Sequence, residues 1–463
     1  MAEEVLIKPG DVTIDELFIT AHDGTDYNLK DEGMFAEINI YEDIWNKFLT
    51  GNIALKDATN FITNAPIMGG ELITLKIRTN TFEDTPDTII DKSFQIYSIK
   101  NRALNNDREQ LYMLNFCSIE MMSDQTHTLS QRYKGNTEDI IKNIYDNFIV
   151  EARRPMEGTD PTGILIGDTP HVSNINFIAN NWTPVQTFDF MSKYIRGNKH
   201  VGADFIFYES SKRFYFTSLQ ALINDGKDNV FEEYVYSPSN LKVEHRSSGD
   251  KFIGTPLPLP WCKIDAMKIP RTIDIIDGQD SGYYAQSVRA YDIFTKETIA
   301  AEIDVRKDFS KFVHTDDGTP VPEGIKRNPN SMTTLKVLNS VNNMTQTANI
   351  PGSKSGNSDS ENIIGASLFR DNYFNSFKDF QFEIDVPGRT DIECGNIIYI
   401  QYPAPRSKTA DLSFDDIYDK QLSGKYIITA IRHKIDTVAH VMKMEIMKNG
   451  LPESMGEPES RDE

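Results

Sequence analysis

Eight histidines and 69 acidic residues are the side chains of this 463-residue sequence from which any chemistry would have to be built. His22, His127, His171, His200, His245, His314, His433 and His440 contain no pair at the HxxxH spacing that brings two imidazoles to one metal ion on a helix face. His433 and His440 fall in or beside neighbouring predicted strands and can approach one another; they read as strand-surface histidines without a ligand role. Asp274, Asp277 and Asp280 recur every three residues, with glycines at 278 and 282. A calcium loop needs oxygen ligands at alternate positions and a closing glutamate, and this pattern has neither, so it reads as a solvated turn. Asp316, Asp317 and Gly318 also read as a turn. Cys117, Cys262 and Cys394 are far apart and form no CxxC pair, which points to small buried hydrophobes.

The remaining signatures of catalysis are missing. There is no GxSxG elbow, no phosphate-binding P-loop and no GxGxxG. Glycoside hydrolysis needs two carboxylates close in space, and no pair stands out among the 69. The sequence therefore assigns no catalytic, cofactor-binding or metal residues, no cofactor and no enzymatic activity. Phe205, Phe207, Tyr208, Phe214, Tyr215 and Phe216 have the density of a base-stacking platform. They lack the surrounding basic patch, and read instead as a hairpin packing into a core.

Acidic residues outnumber basic ones, 69 to 48, for a net charge of -21. Such a field repels phosphates and argues against sequence-specific nucleic-acid binding. It is compatible with a surface past which DNA slides. The N-terminal residues are acidic and lack the apolar stretch of a secretory signal, and no run approaches the roughly 18 apolar residues of a membrane span. The expectation is a chain made in a reducing cytoplasm.

The elements that would position these groups are mainly β. Over residues 1–125 the apolar period is two: Ala36, Ile38 and Ile40, then Ile73, Leu75 and Ile77, then Tyr112, Leu114 and Phe116. Polar turns separate these runs, and a short helix is expected near Asp43 to Leu49. This reads as a first tube-like β-barrel. Residues 126–240 read as a small α+β domain. Ile140, Ile141, Ile144, Tyr145 and Phe148 predict one helix. Thr183, Pro184 and Gln186 predict a second through a capping box, with Gly197 as its stop. The aromatic runs 203–208 and 213–218 predict a hairpin. Residues 241–338 read as an irregular and β part of the middle and second barrel region. Residues 339–364 read as a polar loop and 365–450 as a second tube-like β-barrel, whose first strand carries Phe380, Phe382, Ile384 and Val386. Residues 451–463 read as a mobile acidic tail. The fold class expected is mainly β, two barrels bracketing an α+β insert.

Three stretches carry a family resemblance. The first is Phe35 to Ile44, followed by Phe48, Gly51, Asn52 and Gly69, Gly70 and Glu71. The second is Asp204 to Glu209 and Phe214 to Ser218. The third is Val386 to Thr390, Gly395, and Leu422 to Tyr426 running on to His433. In their order and pattern the chain resembles the central baseplate hub proteins of T-even-type contractile-tailed phages, which are similar in fold to the hub portion of type VI secretion spikes. The resemblance implies two tube-like barrels per chain and a homotrimer with a pseudo-sixfold ring. It implies as partners a central spike protein, tail tube or tube-initiator proteins and baseplate wedge proteins, with DNA passing the lumen unbound. It implies a place in the virion tail baseplate after assembly in the host cytoplasm. The missing C-terminal needle repeats disfavour a fused type VI spike. The rival reading is a cell-envelope-degrading or glycan-binding tail protein, which needs a concave pocket with convergent carboxylates.

Overall fold

Strands form where apolar residues alternate, because one face of each can be buried and the other left in water. The computed structural model describes residues 8–31, 33–65, 67–82, 85–150, 163–168, 175–197, 199–200, 203–236, 253, 259–293, 296, 298–322, 324–330, 332–338, 359–404 and 418–454. His171, His245, Pro256, Pro258, most of the polar loop and the tail from 455 lie outside them.

The N-terminal β-module contains Val12–Thr20, Asp26–Asn28, Phe35–Asp43, Thr50–Asp57, Leu72–Thr79, Ile89–Asn106 and Glu109–Ser118. All its pairings are antiparallel, running from the Phe35 strand through the Thr50, Glu109, Ile89, Leu72 and Val12 strands to Asp26–Asn28. Ile38, Ile53, Leu75, Phe94 and Phe116 meet in its core. Leu29 N–H donates to the Leu17 carbonyl of the Val12 strand, and Lys56 N–H of the Thr50 strand donates to the Met34 carbonyl.

The second module closes completely. Glu233–Tyr236 pairs in parallel with Ile397–Gln401 and with Lys263–Ile264. The chain continues from Ile264 into Ala266–Arg271, which pairs with Phe380–Pro387. That strand pairs with His440–Lys448, which pairs with Gly424–Asp436, which returns to Ile397–Gln401. The result is a six-stranded barrel filled by Phe382, Ile384, Ile398, Ile428 and Met444.

One strand belongs to both modules. Gly424–Asp436 pairs with Ile397–Gln401 through its first residues and with Phe35–Asp43 through Ala430–Asp436. Its Ile427 and Ile431 pack in the barrel core, whereas Ile435 packs in the N-terminal core. The two modules thereby form one continuous fourteen-stranded sheet.

Between them lies the α+β part. The helices Thr137–Ile144 and Pro184–Ser192 pack on the hairpin Phe205–Glu209 and Phe214–Ser218, whose outer edge takes the parallel strand Ile164–Ile166. The capping box is present: Gln186 N–H donates to Thr183 Oγ1 at 3.2 Å, and Thr183 N–H to Gln186 Oε1 at 3.1 Å. The fold is therefore mainly β with α+β parts, as the alternation implied.

Several local expectations are corrected. Residues 43–49 are a turn, not a helix, because the Asp43 carboxylate takes the Trp45 N–H at 2.7 Å and Ile44 N–H bonds the Thr429 carbonyl. The Pro184 helix ends at Ser192, before Gly197. Glu233–Tyr236, placed in the α+β domain by the sequence, is a barrel strand, because Tyr234 points into the barrel core. The polar run does not continue as loop to 364: an eighteen-residue helix spans Asp359–Ser376. Leu368, Phe369, Asn372, Tyr373 and Ser376 give it a buried stripe. Leu368 and Phe369 cover a three-stranded sheet of Ala285–Asp292, Thr298–Asp304 and Thr333–Leu338, which is the β part of the region read as irregular and β.

Candidate assembly site

The buried polar groups concentrate where the modules meet. Glu42 of the Phe35 strand is 1% exposed, and His433 and His440 are fully enclosed. His433 Nε2 lies 3.3 Å from Glu42 Oε1, and His433 Nδ1 lies 3.1 Å from His440 Nε2. Cys394 N–H donates to Glu42 Oε2 at 3.3 Å. Burial raises the Glu42 carboxyl, but the His433 hydrogen bond and charge overcome it and hold the group below the usual carboxylate range. Burial, with the neighbouring His433, pushes His440 well below the ordinary imidazole value. These two histidines are therefore interior, not strand-surface. His433 is in phase with Ile431 and Ile435, and His440 with Met442 and Met444, so the period-two pattern already places both on the buried face, against their residue type.

Arg389 makes a second junction. Its guanidinium is fully buried and forks onto Asp391, with Nε–Oδ1 at 2.6 Å and Nη2–Oδ2 at 2.7 Å. It also donates to Glu232 at 3.1 Å and lies between the rings of Phe231 in the barrel and Phe82 in the N-terminal module. Next to it, Thr79 and Thr390 each donate a backbone N–H to the other's hydroxyl at 3.1 Å. A third junction ties the N-terminal module to the α+β part. Buried Lys92 contacts Glu209 at 2.8 Å, and Glu209 also takes the Leu49 N–H at 3.0 Å and the Ser118 hydroxyl.

All three junctions are closed to substrate. A general acid or nucleophile must reach a reacting atom, and these groups are spent on one another. What they can do is fix the modules in one relative orientation. The other sequence candidates behave as turns and core. Asp274 caps the short helix Ile275–Asp280, taking the N–H groups of Ile276 and Asp277, while Asp277 pairs with Arg271. Asp280 stands at the end of that helix. Among the described residues no three His, Cys, Asp or Glu side chains are placed to hold a metal ion. The three cysteines are free and buried. Phe205, Phe207, Phe214 and Phe216 enter the helix-covered core, and Tyr208 faces the barrel.

One element projects. The strand Ile89–Asn106 buries alternate residues through Ile96, pairing with Leu72–Thr79 as far as Gln95, and then continues as an exposed arm along Glu109–Ser118, whose other edge is paired with Thr50–Asp57. The arm carries Tyr97, 47% exposed, Leu104, 80% exposed, and Leu111. Arg102 bonds Gln110 across it at 3.0 Å, and Asn106 bonds Glu109 at its tip.

No protein-family model matches the sequence, and no curated protein does. In fold the chain is similar to a tail protein from Neisseria meningitidis MC58, with a TM-score of 0.53 and 9% identity, covering 95% of this chain and 99% of that one. It is likewise similar to the 43 kDa tail protein of prophage MuSo2 from Shewanella oneidensis, with a TM-score of 0.52 and 8% identity, covering 94% and 99%. Nearly end to end, this chain has the fold of those two tail proteins.

Proposed function

We propose that the chain is a structural baseplate hub of a contractile phage tail, without enzymatic activity. Three copies form a pseudo-sixfold ring that joins the tail tube to the central spike and lines the DNA passage. The observation that supports this reading is the pair of β-modules fused through one shared strand, since a chain carrying two ring-forming units needs three copies for six positions. The arm 97–111 supports it further. Beyond Gln95 the Ile89 strand has no strand on its outer edge among the described residues, and an open edge with exposed Tyr97, Leu104 and Leu111 suits burial against a neighbouring copy. The net charge of -21 suits a channel wall that DNA leaves without sticking. The test is mass measurement of the purified protein with negative-stain imaging. A homotrimeric ring with a central hole is expected. A monomer that clears cell wall in a muralytic assay defeats the reading.

A further inference from the structure

The turn after the Phe35 strand, the helix Asp359–Ser376 and the end of the His440 strand enclose a cavity of about 420 Å³. Its floor is apolar: Ile44, Ile206, Phe377 and Met447. Trp45, 39% exposed, stands at its rim edge-on to Phe374, with ring centroids 5.4 Å apart. The remaining lining residues are Lys47, Arg370 and Lys378, and no carboxylate lines it. This is unusual in a chain with 69 acids and 48 bases. The carboxylates whose charge reaches Arg370 are Asp204, Asp371 and Asp189, and each is engaged: Asp204 accepts from the Ser218 hydroxyl and the Gln220 N–H, Asp371 pairs with Lys336 at 3.6 Å and Asp189 with Lys47 at 2.6 Å. Arg370 is held by the carbonyls of Ser192, Ala203 and Phe205, with its guanidinium 4.6 Å from the Phe374 ring. Exposed Lys378 is in no ion pair among the described residues, and the carboxylate that feels its charge, Asp277, is paired with Arg271.

We infer that this cavity is a docking site for an acidic segment of a partner protein, which lays one aromatic or large aliphatic side chain on the apolar floor beside Trp45 and Phe374 and a flanking carboxylate against Lys378. The volume suits one such side chain with part of its backbone, and an apolar floor beneath a cationic rim matches an apolar anchor flanked by negative charge. A nucleic acid strand fits less well, because the cations form a rim around one apolar pocket and not a track for successive phosphates. The cavity is made within one chain, so this inference stands whether or not the ring reading does.

The test uses the full chain and fluorescein-labelled pentapeptides in fluorescence polarisation at low salt: two Asp on each side of Phe, the same peptide with Ala for Phe, and the same with Lys for Asp. Saturable binding of the Asp–Phe peptide alone is expected, with a loss of tenfold or more in Lys378→Glu and in Trp45→Ala. Both positions are at the surface, and circular dichroism of the variants should match the parent. No binding of that peptide at millimolar concentration overturns the proposal. So does equal binding of the Lys peptide, affinity unchanged in both variants, or preference for an oligothymidine strand.

Discussion

His433 Nδ1 and His440 Nε2 face each other at 3.1 Å inside the seam, and the Glu42 carboxylate lies 3.3 Å from the far nitrogen of His433. The first contact is a hydrogen bond in which one imidazole donates to the other, and the second is an approach within ion-pair distance. The arrangement has no room for a second proton on His440, which burial keeps neutral.

Acid should therefore loosen the molecule at a defined point. The folded value of His440 lies below its unfolded one, so the unfolded chain binds the proton first, and the His440 contribution to stability is complete above about pH 6.5 and is lost as pH drops below it. His314, pushed down to about 4 by burial, acts in the same direction. Thermal melts between pH 7.5 and 5 should show this loss, and His440→Gln should flatten part of it.

Removing the carboxylate of the seam leaves His433 buried without its partner. Glu42→Ala should cost about 3 kcal/mol, the usual penalty for breaking a buried pair from one side. Urea denaturation of the variant against the parent measures it, and a cost near zero would show that the pair is dispensable.

Gly388 stands where a Cβ would sit 2.1 Å from the His440 ring. Gly388→Ala must displace that imidazole or the strand beneath it, and overpacking of this kind costs roughly 1–3 kcal/mol. A double variant with His440→Ala should recover much of the loss, which denaturation of the two single variants and the pair would reveal.

Lys448 is fully buried, donates to the Gln421 and Ser423 carbonyls, and is pushed down to about 7 by burial. Its folded value is below its unfolded one near 10.4, so stability should rise as pH climbs from about 7 towards 10. Lys448→Met should remove that rise. Melting temperatures across this range, read for both proteins, test the sign.

The arm offers a separation of assembly from folding. Leu104→Glu and Tyr97→Glu alter residues that are mostly in water in a single chain, so the melting temperature of the monomer should hold within a few degrees. Analytical ultracentrifugation should show the oligomer weakened or lost. An unchanged oligomer would place its interface elsewhere.

Much of the β-structure was legible because Ile38 and Ile40, or Phe382 and Ile384, alternate with polar neighbours on strands with one wet face. The helix at Pro184 was legible because its cap is local chemistry. The helix Asp359–Ser376 was not. Its buried stripe includes Asn372 and Ser376, which bond the Tyr283 and Tyr373 carbonyls, and a pattern scan counts both as polar. The seam escaped for a related reason. His433, Glu42 and Arg389 look like surface residues by type; the pairing of strands some 390 positions apart in sequence encloses the first two, and Phe82, Phe231 and Glu232 from distant segments enclose Arg389. The cationic cavity needs three separate elements to meet, so no single stretch could announce it.

The strand Gly424–Asp436 has a mechanical consequence. Load applied to one module is passed to the other along an unbroken polypeptide and its flanking ladders, with no linker to absorb it. A hinge between the modules would require tearing that strand from a neighbour. Pull or twist on one end should then reach the other as rigid-body displacement, and the two modules should come apart only when the molecule unfolds.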